Sequence, residues 1–120
     1  MKKGKLFLIP SFLGDNNKAL LPQQWSDAVM PVRNFFVEDE RSARRFLRAA
    51  GFDANFDEVK LMLINKHDPE QSLAPFLDVM KDGNDAGIIS EAGCPGVADP
   101  GAAIVKAAHE QGIEVVPLVG

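Results

Sequence analysis

Five short apolar runs, separated by stretches of helical periodicity, constrain this chain more than any other feature. The runs are Lys5–Ile9, Asn34–Glu38, Lys60–Ile64, Ala86–Ile89 and Glu114–Leu118. Each is nearly continuous in apolar side chains, the pattern of a strand covered on both faces. Between the second and third lies Glu40–Ala50, where Ala43, Phe46, Leu47 and Ala50 fall at i, i+3, i+4 and i+7. That spacing makes one apolar stripe along a helix, and Gly51 ends it. Between the third and fourth, Ser72 is expected to cap a helix carrying Leu73, Phe76, Leu77 and Met80, with Pro75 tolerated in its first turn and Asp82-Gly83-Asn84 as its stop. Between the fourth and fifth, Asp99-Pro100 reads as a helix start, Ala102–Gln111 as an amphipathic run and Gly112 as its end. A less regular segment after Pro22 carries Trp25, Ala28 and Val29 at helical spacing, and Pro31 closes it.

Strands alternating with helices at this spacing imply right-handed crossovers. The expected fold class is α/β, a five-stranded, mostly parallel sheet with helices on both faces. Pro117 is out of place in a central strand, so the last run belongs at an edge or a strand end. A length of 120 residues suits one domain, taken here as residues 1–120.

The bulk chemistry excludes some classes. The net charge of −4 gives no support for a general nucleic-acid binder, although a local basic patch is compatible with it. The one cysteine, Cys94, rules out an intrachain disulfide. No apolar run approaches the ~20 residues of a membrane span. Leu6–Ile9 is too short for a signal-peptide core and runs into Pro10. The expected location is the cytoplasm.

Ligands of parallel sheets bind outside the carboxyl ends of the strands. Those ends carry Pro10–Gly14, Glu38-Asp39, Asn65–His67, Ser90–Asp99 and Gly120. The stretch from Ser90 to Gly101 holds three glycines and two prolines between a strand and a helix. A plain connection needs fewer residues, and a loop with so little side chain lets a ligand approach the backbone closely. It has neither the Gly-x-Gly-x-x-Gly order of a dinucleotide fold nor the Gly-Lys-Ser/Thr of a phosphate loop. It therefore reads as one wall of a small-molecule site, held by backbone groups and apolar contact.

Other candidates each have a plainer alternative. Cys94 stands near a helix start that would lower a thiol pKa, yet no Cys-x-x-Cys or paired histidine accompanies it, so a small lining residue is the simpler reading. Arg41, Arg44, Arg45 and Arg48 share a helix face that could meet a polyanion such as RNA, or be a solvated face balanced by Glu38, Asp39 and Glu40. Glu38 and Asp39 could serve as a general base, but adjacent acids on a turn point apart, and both could instead favour the helix N-terminus. His67 lies in a loop as a possible base or substrate contact, and His109 falls in the last helix, where exposure is expected.

Ile89-Ser90-Glu91-Ala92-Gly93-Cys94-Pro95-Gly96-Val97-Ala98-Asp99-Pro100-Gly101 resembles the Ser-Asp-Ala-Gly-Thr-Pro-x-x-Ser-Asp-Pro-Gly signature of the tetrapyrrole methylase superfamily. Within it, the chain is most similar to the branch that methylates a cytidine ribose 2′-hydroxyl of bacterial small-subunit ribosomal RNA. Glu38-Asp39-Glu40-Arg41 resembles that family's Glu-Asp-Thr-Arg, and Leu6–Gly14 stands at its first strand and turn. Gly112–Gly120 resembles its next strand.

The resemblance implies a methyltransferase that uses S-adenosylmethionine in a cleft between two α/β domains, commonly as a homodimer, without a metal. It implies that this chain is the N-terminal domain, with the second domain absent and an apolar cleft wall exposed. Carried over by position, Ser90, Gly93, Cys94, Pro95, Gly96 and Val97 would bind the cofactor. Pro10, Gly14 and Arg41 would line the substrate cleft, and Glu38, Asp39 and His67 would be the candidate bases. Cys94 replaces the usual Thr, Glu40 replaces the Thr of Glu-Asp-Thr-Arg, and Asn65-Lys66-His67-Asp68 stands where the family has His-Glu-His-Asn. These departures cluster on the substrate side. Ribosomal RNA, a different small-molecule acceptor, and a non-catalytic ligand-binding or assembly role all remain open at this point. A thiol enzyme using Cys94 is the third class; Cys94→Ser would abolish it and spare methyl transfer.

Overall fold

The structure, a computed structural model, describes residues 2–11, 27–65, 68, 70–91 and 100–118. Five strands form one sheet: β1 (Leu6–Ser11), β2 (Asn34–Val37), β3 (Lys60–Leu63), β4 (Ala86–Glu91) and β5 (Val115–Pro117). Their spatial order is β3-β2-β4-β1-β5. Every pairing in the sheet is parallel, so the expected mostly parallel sheet is wholly so. Three helices, α1 (Glu40–Ala49), α2 (Ala74–Lys81) and α3 (Pro100–Glu110), lie between them. Residues 27–29 are also helical; Trp25, placed in the same helix by its spacing, lies outside the described residues.

The strand order and a right-handed crossover set the faces. The chain moves one way across the sheet from β1 to β2 to β3, and the other way from β3 to β4 to β5. The connecting helices therefore cover opposite faces, and the buried side chains divide in two accordingly. Phe7, Ile9, Phe35, Val37 and Ile89 meet Val29, Ala43, Phe46 and Leu47 on the α1 face. Leu6, Phe36, Ala86 and Ile88 meet Phe76, Leu77, Met80, Ile104 and Ala108 on the α2/α3 face. Successive strand residues alternate between the two cores, as the period of 2 requires. This explains why the strands read as continuous apolar runs. Phe35 and Phe36 are both fully buried on opposite sides of one strand, each contributing roughly 1.5–3 kcal/mol of burial. Phe36 stands edge-on to Phe76 at 5.0 Å, and Phe35 edge-on to Phe52 at 5.4 Å.

All three helices end in the same way. Gly51, Gly83 and Gly112 have φ of 94°, 95° and 72°, in the left-handed region that glycine tolerates best. After α1, Gly51 N–H donates to the Arg48 carbonyl and Phe52 N–H to the Leu47 carbonyl. The equivalent pairs are Gly83 to Met80 with Asn84 to Val79, and Gly112 to His109 with Ile113 to Ala108. These crossed bonds satisfy carbonyls that the helix ends leave free.

Several boundaries differ from the sequence reading. The Pro10 turn was expected to end β1, but Pro10 and Ser11 continue it opposite Ser90 and Glu91 of β4. Lys5 C=O accepts from Ala86 of β4, whereas Leu6 N–H and Leu8 C=O bond the β5 side. Even-numbered residues of β1 thus turn their backbone groups toward β5. The N–H that Pro10 lacks is the one that would carry the β1–β5 ladder beyond Leu118, so the β5 side stops there while the β4 side continues through Pro10 and Ser11. Pro117, on the edge strand β5, is tolerated by the same logic: Glu114 and Leu118 bond β1, so Pro117 faces the free edge.

Ser90 and Glu91, expected in the loop, are the last residues of β4. Ser72 is not the cap of α2: Leu73 takes that place with no side-chain cap bond, and Ser72 Oγ reaches only the Ala74 N–H at 3.4 Å. The Leu73 carbonyl starts the helix by accepting from Phe76 and Leu77. Burial of Phe76 and Leu77 decides the start, overriding the preference for a serine cap.

Candidate active-site recess

The carboxyl ends of β1, β2 and β4 open onto the α2/α3 face. There a recess with a cavity volume of about 90 Å3, open to solvent, is lined by Leu8, Glu38, Ile64, Ile88, Ile89, Gly101 and Val105. Its walls are aliphatic because the alternation that buries Leu6 and Ala86 below places Leu8 and Ile88 two residues above them on the same face. The first two turns of α3 supply Gly101 and Val105 on the other side. The wall expected from Gly93 to Asp99 lies outside the described residues; Leu63, at the end of edge strand β3, is 51% exposed.

Glu38 is the one ionisable residue among the described residues that line this recess. It follows β2 directly and is half-buried. The register pairs Phe36 with Ile88 and Pro10 with Ser90. Pro10 and Ser90 therefore stand side by side at the mouth, and Glu38 follows the end of β2 on the other side of β4.

Asp39 takes a different role. It is the N-cap of α1, on the opposite face, and is fully exposed. Its carboxylate accepts from the Ser42 hydroxyl at 2.8 Å and from the Arg41 N–H at 3.1 Å. The Ser42 hydroxyl first, and then the Arg41 N–H, hold its pKa below the ordinary aspartate value. A carboxylate stabilised in its charged form by two donors is a weak proton acceptor. The adjacent acids do point apart, and only Glu38 faces the recess.

Arg41 lies exposed in the first turn of α1, beside the mouth and outside the recess. His67, Gly14, Gly93, Cys94, Pro95, Gly96 and Val97 lie outside the described residues. His109 is exposed in the last turn of α3, as expected. The sequence reading expected an apolar cleft wall without naming Leu8, Ile64, Ile88 or Val105 as part of it; Leu8, Ile64 and Ile88 entered only as members of strands. Their signal was available, since Leu8 and Ile88 stand two residues above Leu6 and Ala86.

The recess suits a ligand with an apolar body and positive charge, held between aliphatic walls and a carboxylate. No family model matches the chain. Curated proteins named ribosomal RNA small subunit methyltransferase I are similar to it along nearly its whole length. The one from Escherichia coli O157:H7 is 30% identical over 118 residues, covering 98% of this chain and 39% of the relative. That from Bacillus subtilis is 30% identical over 117 residues, covering 98% and 38%. That from Leptospira biflexa is 27% identical over 119 residues, covering 99% and 47%. The chain thus spans about two-fifths of the length of the curated relatives it matches. A crystal structure of a conserved hypothetical protein from Aeropyrum pernix K1 has the same fold, with a TM-score of 0.59 at 19% identity, covering 99% of this chain and 40% of that one.

Proposed function

We propose that this chain, similar along nearly its whole length to proteins named ribosomal RNA small subunit methyltransferase I, is the N-terminal domain of an S-adenosylmethionine-dependent RNA methyltransferase. The observation that carries the reading is the recess at the sheet's carboxyl mouth, with Glu38 set in an otherwise aliphatic lining. S-adenosylmethionine, when bound, supplies an electrophilic methyl group on a cationic sulfur. Aliphatic walls accommodate the apolar parts of such a molecule, and a carboxylate favours its charge.

The methyl acceptor we propose is a ribose 2′-hydroxyl of ribosomal RNA, which must give up its proton at some stage of methylation. Glu38, which lines the recess, would receive it, directly or through a water. Asp39 instead holds the start of α1, and His67 remains a candidate from sequence. Ser90, Gly93, Cys94, Pro95, Gly96 and Val97 would form the cofactor wall, and Pro10, Gly14 and Arg41 the substrate side. Orientation of the two reactants between these walls would supply much of the rate. A further domain of the same protein would close the cleft, and the protein would work in the cytoplasm, where ribosomes assemble, as a homodimer. Among the described residues no helix is long and apolar enough to cross a membrane.

The test is calorimetric titration of the protein in its full natural length with S-adenosylmethionine and S-adenosylhomocysteine. Saturable binding with one site per chain is expected. A folded protein that takes up neither overturns the proposal. Methyl incorporation into small ribosomal particles, compared with small-molecule acceptors, then decides the substrate.

A further inference from the structure

All five arginines of the chain, Arg33, Arg41, Arg44, Arg45 and Arg48, lie within one stretch of the sequence, whereas the eight lysines are scattered from Lys2 to Lys106. Four of the five are on α1. At 3.6 residues per turn, Arg41, Arg44, Arg45 and Arg48 fall within about 100° of arc, and the row is about 10 Å long. All four are exposed, while Ala43, Phe46 and Leu47 on the opposite side of the helix are buried in the core. The helix presents one apolar and one basic side, back to back.

Internal contacts do not use up this charge. Arg45 has no hydrogen bond or ion pair among the described residues. The Arg41 guanidinium acts on Asp39 only as a nearby charge. Arg44 pairs with Glu40 at 3.6 Å across an exposed surface, a contact weak enough to exchange for another anion. Arg48 is the structural member: it donates to the Phe52 carbonyl at 2.7 Å and stacks over Phe56 at 4.3 Å. The stripe is a positive surface on a chain whose net charge is −4. It starts at Arg41, beside the mouth that holds Glu38, and runs away along the α1 face.

We propose that this stripe is a docking surface for the sugar–phosphate backbone of RNA, with Arg41, Arg44 and Arg45 contacting successive phosphates and leading the strand to the recess. The proposal rests on the RNA-methyltransferase reading above and adds the surface that holds the substrate. Arginine suits this task because its planar fork donates two parallel hydrogen bonds to one phosphate. Contacts of this kind fix position and register without reading sequence.

The test uses the protein in its full natural length and a fluorescein-labelled single-stranded RNA oligonucleotide. Affinity is followed by anisotropy through a salt titration for the unaltered protein, for Arg45→Gln, and for Arg41→Gln combined with Arg45→Gln. The double variant is expected to bind roughly tenfold more weakly at low salt, with a salt slope shallower by about 1.4, from two phosphates at about 0.7 each. The single variant should lose about half the slope change, and lysine at both positions should restore most of it. Calorimetric binding of S-adenosylmethionine should stay the same in Arg45→Gln. Equal RNA affinity and slope in the unaltered and double-glutamine proteins overturn the stripe alone. No RNA binding by the unaltered protein overturns the RNA reading, and the stripe with it. Competition by polyglutamate as effective as by RNA assigns the stripe to acidic proteins and overturns the proposal.

Discussion

The two ends of the sheet are built to opposite rules. At the amino end, the last turns of α1, α2 and α3 close over the strands. Each is fastened by a glycine and its crossed hydrogen bonds. Gly4 lies so close to the backbone of Asn84 and Asp85 that any Cβ would collide with it, and Gly4 N–H donates to the Met80 carbonyl at 2.8 Å. Lys5 N–H bonds the Asp85 carboxylate at 2.8 Å. At the carboxyl end a recess opens, lined by buried Ile64, Ile88 and Ile89, half-buried Leu8 and Val105, and Glu38. One end spends its residues on stability and the other leaves surface for a ligand. Substitutions should therefore separate: stability without function at one end, function without stability at the other.

The largest effect on stability is expected from Phe52→Ala at the amino end. Phe52 is 2% exposed and edge-on to Phe35 at 5.4 Å. Its loss should cost about 3–5 kcal/mol in denaturant unfolding. A loss under about 1 kcal/mol would mean this end is looser than its packing indicates. Glu38→Gln should behave in the opposite way. Methyl transfer should fall about 10²–10⁴-fold while the unfolding midpoint hardly moves, as for a general base. Single-turnover assays on ribosomal particles would detect it, and an unchanged rate would remove Glu38 from the chemistry.

A smaller change is expected for Gly4→Ala. The methyl group meets the Asn84 carbonyl, which is backbone and cannot rotate away. About 1–3 kcal/mol should be lost to overpacking, with cofactor affinity per folded molecule unchanged. The smallest effect concerns Asp39, which stands at the mouth but serves the frame. Its folded-state pKa is lowered by Ser42 and Arg41. Its contribution to stability is therefore present above the unfolded aspartate pKa and is lost as pH falls through the lowered folded value. Unfolding curves of Asp39→Asn and the unaltered protein should differ at neutral pH and converge in acid. Curves that stay apart at low pH would show that the cap does not depend on charge.

The amino end was the more legible from sequence. Gly51, Gly83 and Gly112 announce helix ends because positive φ is a local demand that glycine meets best. The stripe of Ala43, Phe46 and Leu47 likewise needs only the helical period to be recognised. Reading was less successful where partners come from far along the chain. Pro10 resembles a strand breaker until one sees that β5 has ended beside it. Ser72 resembles a helix cap until Phe76 and Leu77 bury and pull the first turn along. At the mouth, Leu8 and Ile88 belong both to the core pattern and to the recess, and only the tertiary structure separates the two roles.

The sequence by itself determined the kinds of element, their order and the glycine ends of the helices, because periodicity, glycine and proline act within a few residues. It also concentrated every arginine on and just before α1. The strand order β3-β2-β4-β1-β5 was decided by tertiary structure. So was the division of Glu38 and Asp39 between a recess and a helix cap, and so was the pairing of Pro10 with Ser90 at the mouth. Those outcomes depend on which strand pairs with which and on the hand of each crossover, and no local pattern encodes either.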